Sequence, residues 1–97
     1  MIHSFADRGT EDVFNGAHSK VARRTCPDTA WKVARRKLGH INTAVKLDDL
    51  RSPPGNHLEK LSGDRAGQHS IRINDQFRIC FSWKDDGAVN VEITDYH

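Results

Sequence analysis

The last third of the chain has the clearest pattern of hydrophobic and polar positions. Between Gly63 and His97, apolar residues recur at every second position in three runs that short polar stretches separate. The apolar positions are all odd-numbered: Ile71, Ile73, Phe77, Ile79, Phe81, Trp83, Val89, Val91 and Ile93. A period of two in β-branched and aromatic residues is typical of strands with one buried face. The pattern predicts an antiparallel meander whose even-numbered face stays open.

Directly opposed residues of an antiparallel sheet share a face, and this rule restricts the register of the meander. Pairing Ile73 with Phe77 leaves a three-residue turn between the first two strands. Pairing Trp83 with Val89 leaves residues 84–88 as the second turn, with a glycine available for a positive φ. We expect both pairs on the buried face.

The same register predicts a cationic row on the open face. Arg72, Arg78 and Thr94 lie side by side across the three strands, and Tyr96 is a diagonal neighbour of Arg78. Two guanidinium groups and a phenol therefore converge near the chain end at His97. We expect an anion site here with titratable groups beside it.

The N-terminal part of the chain changes from alternating to helical patterns. Ile2 to Phe5 alternates briefly and is expected to add an edge strand to the meander. Asp7 or Thr10 is a suitable N-cap for a short helix that Gly16 closes. Residues 17–27 show no clear period, so we expect a loop or a mobile segment there.

A longer amphipathic helix is predicted to begin at Asp28 or Thr29, after Pro27. Its apolar stripe runs to about residue 45 and consists of Ala30, Val33, Ala34, Leu38, Ile41 and Val45. A further short strand is expected from His57 to Leu61. Helices followed by a small antiparallel sheet indicate an α+β fold, with the helices packed on the odd-numbered face.

Composition adds a size and a charge pattern to this picture. Residues 1–97 correspond to one domain, and 36% hydrophobic with 29% charged residues is typical of a soluble globular chain. The formal charge is only +2, but seven cations fall within eighteen residues: Lys20, Arg23, Arg24, Lys32, Arg35, Arg36 and Lys37. Such a stretch favours binding to a polyanion or to an acidic protein partner, although a solvated helix face gives the same pattern.

Several function classes are not indicated by the sequence. Cys26 and Cys80 are too few for a disulfide framework, and no signal peptide or membrane-length apolar run is present, so we expect a cytoplasmic protein. The six histidines have no metal-ligand spacing, and no phosphate-binding loop occurs, so neither a metal nor another cofactor is predicted. His69 has the parity of the buried face, and Cys80 has no histidine assigned beside it to activate a thiol.

Arg78, Tyr96 and His97 are the candidates for chemistry. Arginine stabilises charge that builds on a phosphate, and tyrosine and histidine transfer protons. These are the groups needed to cleave RNA by attack of its own 2′-hydroxyl without a metal. The alternative is that Arg78 simply forms an ion pair with Glu92 on the neighbouring strand.

The run LSGDRAGQHSIRINDQFRICFSW and the closing VNVEITDYH resemble the HigB-type toxins of the RelE superfamily. The opening MIHSF and the segment RSPPGNHLEKL fit the same pattern, so the resemblance covers nearly the whole chain. It implies a RelE-like fold, with helices packed on a three- to four-stranded antiparallel sheet. It also implies a ribosome-dependent endoribonuclease that cuts messenger RNA in the decoding site of the 70S ribosome. The implied partner is a HigA-like helix-turn-helix antitoxin, through which alone the toxin would contact operator DNA.

The resemblance also implies roles for individual residues. Arg78 would stabilise the phosphate in the transition state, and Asp95, Tyr96 and His97 would form a C-terminal catalytic cluster with acid and base roles left open. The positions expected to hold messenger or ribosomal RNA are Arg65, Arg72, Lys32, Arg35 and Arg36.

The chain departs from some relatives just before the Gly-Asp-Arg turn. Those relatives carry a histidine and a lysine where this chain has Glu59 and Ser62, and His57 is displaced by two residues. Either Glu59 takes a proton-transfer role or the enzyme is slow. There are two rival hypotheses: a non-catalytic module that binds RNA, the ribosome or an antitoxin, and a toxin acting chiefly as co-repressor or de-repressor through its antitoxin.

Overall fold

The computed structural model describes residues 1–95, so the predicted catalytic positions Tyr96 and His97 lie outside the described residues. The helices are α1 (Arg8–Asn15), α2 (Lys20–Thr25) and α3 (Trp31–Thr43). The strands are β1 (Glu59–Lys60), β2 (Gln68–Arg72), β3 (Phe77–Lys84) and β4 (Gly87–Asp95). They form one antiparallel sheet in the order β1-β2-β3-β4. The predicted α+β architecture, with N-terminal helices on a small antiparallel sheet, is confirmed.

Local side-chain bonds define the first two helices. Asp7 caps α1 by accepting a hydrogen bond from the Thr10 amide at 2.7 Å, and Gly16 ends it in the left-handed region at φ 77°. The expectation of a loop over residues 17–27 is wrong, because α2 occupies the centre of that segment. Ser19 caps α2 by accepting a hydrogen bond from the Ala22 amide at 3.1 Å. A local hydrogen bond thus begins this helix, although the segment has no clear hydrophobic period.

Helix α3 supplies most of the helical side of the core. A short 3₁₀ turn at Asp28–Ala30 precedes it, and it ends at Thr43, so Val45 is 78% exposed rather than part of the stripe. The buried face of α3 packs against the odd-numbered sheet residues in one cluster, and these α3 residues are Ala34, Leu38 and Ile41. Lys37 is also buried, which the basic pattern of the segment did not predict.

The predicted register holds from Phe77 to Cys80 of β3. Arg72 opposes Arg78 and Arg78 opposes Thr94, so the expected row exists. Between Cys80 and Ser82 a β-bulge in β4 shifts the pairing by one residue, because Asn90 is an extra residue with φ 54°. Trp83 therefore pairs with Ala88 instead of Val89.

The bulge changes which residues of β4 are buried. Ala88 is buried on the core side, whereas Val89 is only half-buried. The predicted five-residue turn is wrong for the same reason. Lys84 pairs with Gly87, and only Asp85 and Asp86 remain in the turn.

Residues 1–6 run parallel to the outer edge of β4. Bridges join Ile2 to Ala88 and Phe5 to Val91, and the amide of Val91 donates to the Ser4 carbonyl at 3.0 Å. This stretch covers an edge that would otherwise present unpaired backbone groups. The expected edge strand is thus present as two isolated bridges rather than as a continuous strand.

The segment between α3 and β1 is built from 3₁₀ turns at Leu47–Arg51 and Pro54–Asn56. The strand that follows is only Glu59–Lys60, shorter than the expected His57–Leu61, because His57 adopts the left-handed conformation at φ 45°. Across residues 1–95, the structure contains no helix with the length and apolarity needed to cross a membrane.

Candidate active site on the sheet

Arg78 projects from the centre of β3 onto the even-numbered face and is only 9% exposed. Its Nε donates to the Ser70 hydroxyl at 2.8 Å, and its Nη2 donates to the carbonyl oxygen of His57 at 2.7 Å. The Glu59 carboxylate lies 3.7 Å from the same Nη2. Strand pairing fixes Ser70, and the turn before β1 fixes His57, so the guanidinium is held from two separate elements.

The even-numbered face is not open, and that expectation is wrong. Ser70 and Cys80 are 0% and 1% exposed. Arg78 lies against Ser70, to which it donates. Cys80 is covered by Arg65, whose guanidinium donates to Gln68 on β2 at 3.0 Å and reaches Glu92 on β4 at 3.1 Å. The Arg65 side chain therefore crosses β3 above Cys80.

Glu92 forms its ion pair with Arg65 and not with Arg78, the partner considered from the sequence. The nearest carboxylate described at Arg78 is Glu59, at 3.7 Å. This residue is half exposed, with 51% of its side chain accessible, so its carboxylate remains available to a bound molecule. The Glu59 carboxylate and the Arg78 guanidinium thus lie next to each other on this face.

Two further residues of the predicted site, Arg72 and Asp95, lie at the same end of the sheet as Arg78. Arg72 opposes Arg78 and forms an ion pair with Asp75 in the following turn. Asp95 opposes Phe77 at the end of β4 and accepts a hydrogen bond from Gln76 at 3.0 Å. Strand pairing thus brings Arg72 and Arg78 together on the even-numbered face, whereas Asp95, opposite the core residue Phe77, lies at the same end of the sheet but on the other face.

Two titratable groups near this face are poorly suited to nucleophilic or proton-transfer chemistry. Burial raises the pKa of the Cys80 thiol, although the nearby Thr94, Arg65 and Arg78 act in the opposite direction. The thiol is therefore neutral and a weak nucleophile. Burial, with a smaller effect from Lys60, lowers the pKa of His69, whose ring lies 6.4 Å from Phe81 on the core side.

The basic residues of α3 lie apart from this site. Lys32, Arg35 and Arg36 are exposed, while the opposite side of α3 packs on the odd-numbered face of the sheet. Within residues 1–95 these three side chains form no ion pair, in contrast to Arg65 and Arg72. The predicted RNA-binding residues therefore fall into two groups, one on each side of the sheet.

No group of three or more His, Cys, Asp or Glu residues within the described part of the chain is arranged to hold a metal ion. The polar groups that converge at Arg78 are a buried guanidinium, the Ser70 hydroxyl, the His57 carbonyl and the exposed Glu59 carboxylate. The guanidinium can bind a phosphate, and the carboxylate can exchange a proton with a bound substrate.

A family model described as "RelE-like toxin of type II toxin-antitoxin system HigB" matches residues 3–97. The chain belongs to the HigB-like toxins. Toxin HigB-1 of Vibrio cholerae is 42% identical over 90 residues, which cover 93% of this chain and 92% of that protein. An uncharacterized Haemophilus influenzae protein is 36% identical over 78 residues, covering 80% of this chain and 72% of its own length.

The fold of this HigB-like toxin is also found in a solved structure. A chain of the YoeB-YefM complex from Staphylococcus aureus superposes with a TM-score of 0.61, covering 100% of this chain and 98% of that one. Only 15% of the residues are identical, so the likeness concerns the fold.

Sequence reasoning missed two groups that hold Arg78 in this HigB-like toxin. Ser70 has the same strand parity as Arg78 and precedes Arg72 on β2, so its face was predictable, but its bond to the guanidinium was not. The carbonyl of His57 gave no sequence signal, because a backbone acceptor depends on the path of the chain and not on residue type.

Proposed function

We propose that this HigB-like toxin is a ribosome-dependent endoribonuclease that cuts messenger RNA in the decoding site. The observation that carries the proposal is the buried guanidinium of Arg78, held by Ser70 and His57 beside the exposed carboxylate of Glu59. A fixed positive charge with a proton-transfer group next to it suits phosphoryl transfer.

The proposed reaction is attack by the RNA 2′-hydroxyl on the adjacent phosphorus. A base removes the 2′-hydroxyl proton, the O2′–P bond forms, the P–O5′ bond breaks, and an acid protonates the leaving O5′. The products are a 2′,3′-cyclic phosphate and a 5′-hydroxyl end. Arg78 stabilises the charge on the non-bridging oxygens, and Tyr96, His97 and Glu59 share the acid and base roles. Asp95 is assigned neither role, because it lies on the opposite face of the sheet from Arg78.

The ribosome supplies what an isolated toxin lacks, a messenger strand held in one conformation. We infer that Arg65 and Arg72 contact RNA phosphates at the sheet face, whereas Lys32, Arg35 and Arg36 contact ribosomal RNA from the helix side. Phosphate contacts of this kind position the protein without reading sequence. The two groups of cations on opposite sides of the sheet suit an enzyme that sits between two RNA surfaces.

We infer that the partner of the toxin is a HigA-like helix-turn-helix antitoxin and that the toxin meets operator DNA only through it. Membership of a toxin–antitoxin family supports this inference, as does the complex in which the YoeB fold was solved. Because we propose a substrate presented by ribosomes, we infer that the toxin acts in the cytoplasm.

The test is a cleavage assay on ribosomes programmed with a defined messenger RNA, with the breaks mapped by primer extension. Cuts confined to the decoding site, and absent from the same RNA without ribosomes, are the expected result. Cuts in free RNA would contradict ribosome dependence.

A second candidate function is a non-catalytic module that binds the ribosome or an antitoxin. It is favoured by the carboxylate partners that Arg65 and Arg72 already have, because a phosphate must displace Glu92 or Asp75 to bind them. The same assay separates the two functions, since the binding module cosediments with ribosomes and leaves the messenger intact.

A further inference from the structure

The two bonds that hold the Arg78 guanidinium differ in origin. Ser70 belongs to β2, which is paired along its length with β3, so its hydroxyl position follows from the sheet. The His57 carbonyl belongs to the connection between α3 and β1, which has no strand partner until Glu59. The position of this acceptor must therefore be fixed by contacts within the connection itself.

Asn56 provides those contacts. It is fully buried at 0% exposure, and its Nδ2 donates to the carbonyl oxygens of Leu50 and Ser52, each at 3.2 Å. Its Oδ1 accepts a hydrogen bond from Lys37. Both amide donors and the carbonyl of the side chain are used, so the group has one allowed orientation.

Lys37 connects this amide to the helix layer. Its side chain, from a residue only 5% exposed, extends from the buried side of α3 to the Asn56 Oδ1. A buried ammonium is costly, and an apolar side chain of similar volume would avoid that cost. The contact therefore gives the Asn56 Oδ1 a fixed donor at a cost to stability.

We propose that Lys37 and Asn56 are positioning residues for Arg78. Asn56 immediately precedes His57, so a change in the amide reorients the carbonyl that accepts from the guanidinium. The pair thereby links the core of the helix layer to the sheet face on which the chemistry takes place. This inference rests on the proposed endoribonuclease function.

The decisive test is a double-mutant cycle between Asn56→Ala and Arg78→Lys in single-turnover cleavage on ribosomes. If Asn56 acts through Arg78, N56A lowers the cleavage rate about 10- to 100-fold in the wild-type background, with ribosome affinity unchanged. In the R78K background it has no further effect, since the group it positions is gone. Equal losses in both backgrounds would assign Asn56 a general structural role and overturn the proposal.

Thr10→Val is the matched control. Thr10 is also 0% exposed, and its hydroxyl accepts from the Ile93 amide at 3.0 Å, so the variant likewise loses a buried hydrogen bond. It lies at the helix side of β4 and does not touch Arg78. T10V is expected to cleave at the wild-type rate at temperatures where it is folded. A rate loss equal to that of N56A would contradict the proposal.

A measurement independent of cleavage uses the Nη–H signals of Arg78 in ¹H–¹⁵N spectra, because Nη2 donates to the His57 carbonyl. N56A is expected to speed exchange of these protons with solvent by about tenfold or more, and T10V to leave it unchanged. If N56A does not fold, Lys37→Met replaces it in this measurement. This variant keeps an apolar side chain in the core and is expected to speed exchange of the Arg78 protons in the same way. Unchanged exchange in the folded variants overturns the proposal, whereas a wild-type toxin that cleaves nothing but shows the expected exchange contradicts only the proposed function.

Discussion

Arg78 and Ser70 are diagonal neighbours on adjacent strands, and the arginine Nε donates to the serine hydroxyl at 2.8 Å. Together with the bond to the His57 carbonyl, this contact fixes the plane of a guanidinium that is only 9% exposed. A charge held in place before the substrate arrives requires no reorganisation as the transition state forms. The relationship therefore makes Arg78 the centre of the candidate site.

Glu59 is the described carboxylate best placed for proton transfer beside Arg78. Replacing it with Gln should lower the cleavage rate about 10²- to 10⁴-fold, because the amide cannot exchange protons. Thermal stability should hardly change, since the side chain is 51% exposed. The measurement is single-turnover cleavage on ribosomes together with thermal unfolding.

Glu92→Gln is the control for this substitution, because Glu92 lies on the same face but pairs with Arg65. Its cleavage rate should stay within about threefold of wild type, well short of the loss of a general acid or base. If E59Q and E92Q behave alike, Glu59 has no proton-transfer role.

The exposed cations of α3 should contribute to ribosome binding. Replacing Lys32, Arg35 and Arg36 with Ala should weaken cosedimentation and reduce the slope of log affinity against log salt by about 2. The cause is the loss of counterion release at up to three phosphates. Affinity is measured at several salt concentrations.

A second triple variant tests whether position matters as well as charge. It carries Ala at Lys20, Arg23 and Arg24, which are equally exposed on α2. A smaller change in slope is expected from this variant. An identical change in both would indicate only a general attraction to RNA.

His69 should make the fold sensitive to mild acid. Burial lowers the pKa of His69 below its ordinary value of 6.5, with Lys60 as a smaller cause, and its Nδ1 is buried without a hydrogen-bond partner in residues 1–95. Between the lowered pKa and 6.5 the unfolded chain binds more protons, so stability falls as pH decreases through this window. Above pH 6.5, the pKa of this histidine in the unfolded chain, the contribution of the neutral His69 to stability is fully present.

Denaturant unfolding of His69→Gln at several pH values measures this contribution. The variant should lose less stability than wild type between neutral pH and the lowered pKa, because glutamine does not titrate. Parallel pH profiles for the two proteins would show that His69 does not cause the loss.

Two glycines should respond to alanine in opposite directions. No atom lies within 4 Å of a Cβ built at Gly39 in α3, so Gly39→Ala should stabilise the protein by about 0.5–1 kcal/mol. At Gly9 a Cβ would overlap the Thr25 hydroxyl and come within 2.7 Å of the Val21 carbonyl oxygen. Gly9→Ala should therefore destabilise by about 1–3 kcal/mol. A shift of the same sign in the two thermal unfolding curves would contradict this packing of α1 on α2.

The regular parts of the fold were predictable because they depend on periodicity and on local caps. The alternation in β2 and β3 predicts the pair of Arg72 with Arg78, and Asp7 with Gly16 marks the ends of α1. Both signals come from interactions within a few residues or within one strand pair.

The rest depended on interactions that a linear pattern does not contain. The bulge at Asn90 is invisible because residues on both sides of it are apolar. The even face looked open because the side chain that covers it, Arg65, comes from a turn and crosses β3. Likewise, Lys37 lies in a basic stretch of the sequence, which predicts an exposed side chain. Its buried hydrogen bond to Asn56 is seen only in the structure.

The central claim is that the toxin cuts ribosome-bound messenger RNA by attack of the RNA's own 2′-hydroxyl at a site built around Arg78. The most direct measurement compares an all-ribose messenger with one carrying a single 2′-deoxynucleotide at the mapped cut. The wild-type toxin should lose cleavage at that bond alone, and Arg78→Lys should lower cleavage of the all-ribose messenger about 10²- to 10³-fold. Cleavage at the deoxynucleotide, or a full rate in R78K, would contradict the account.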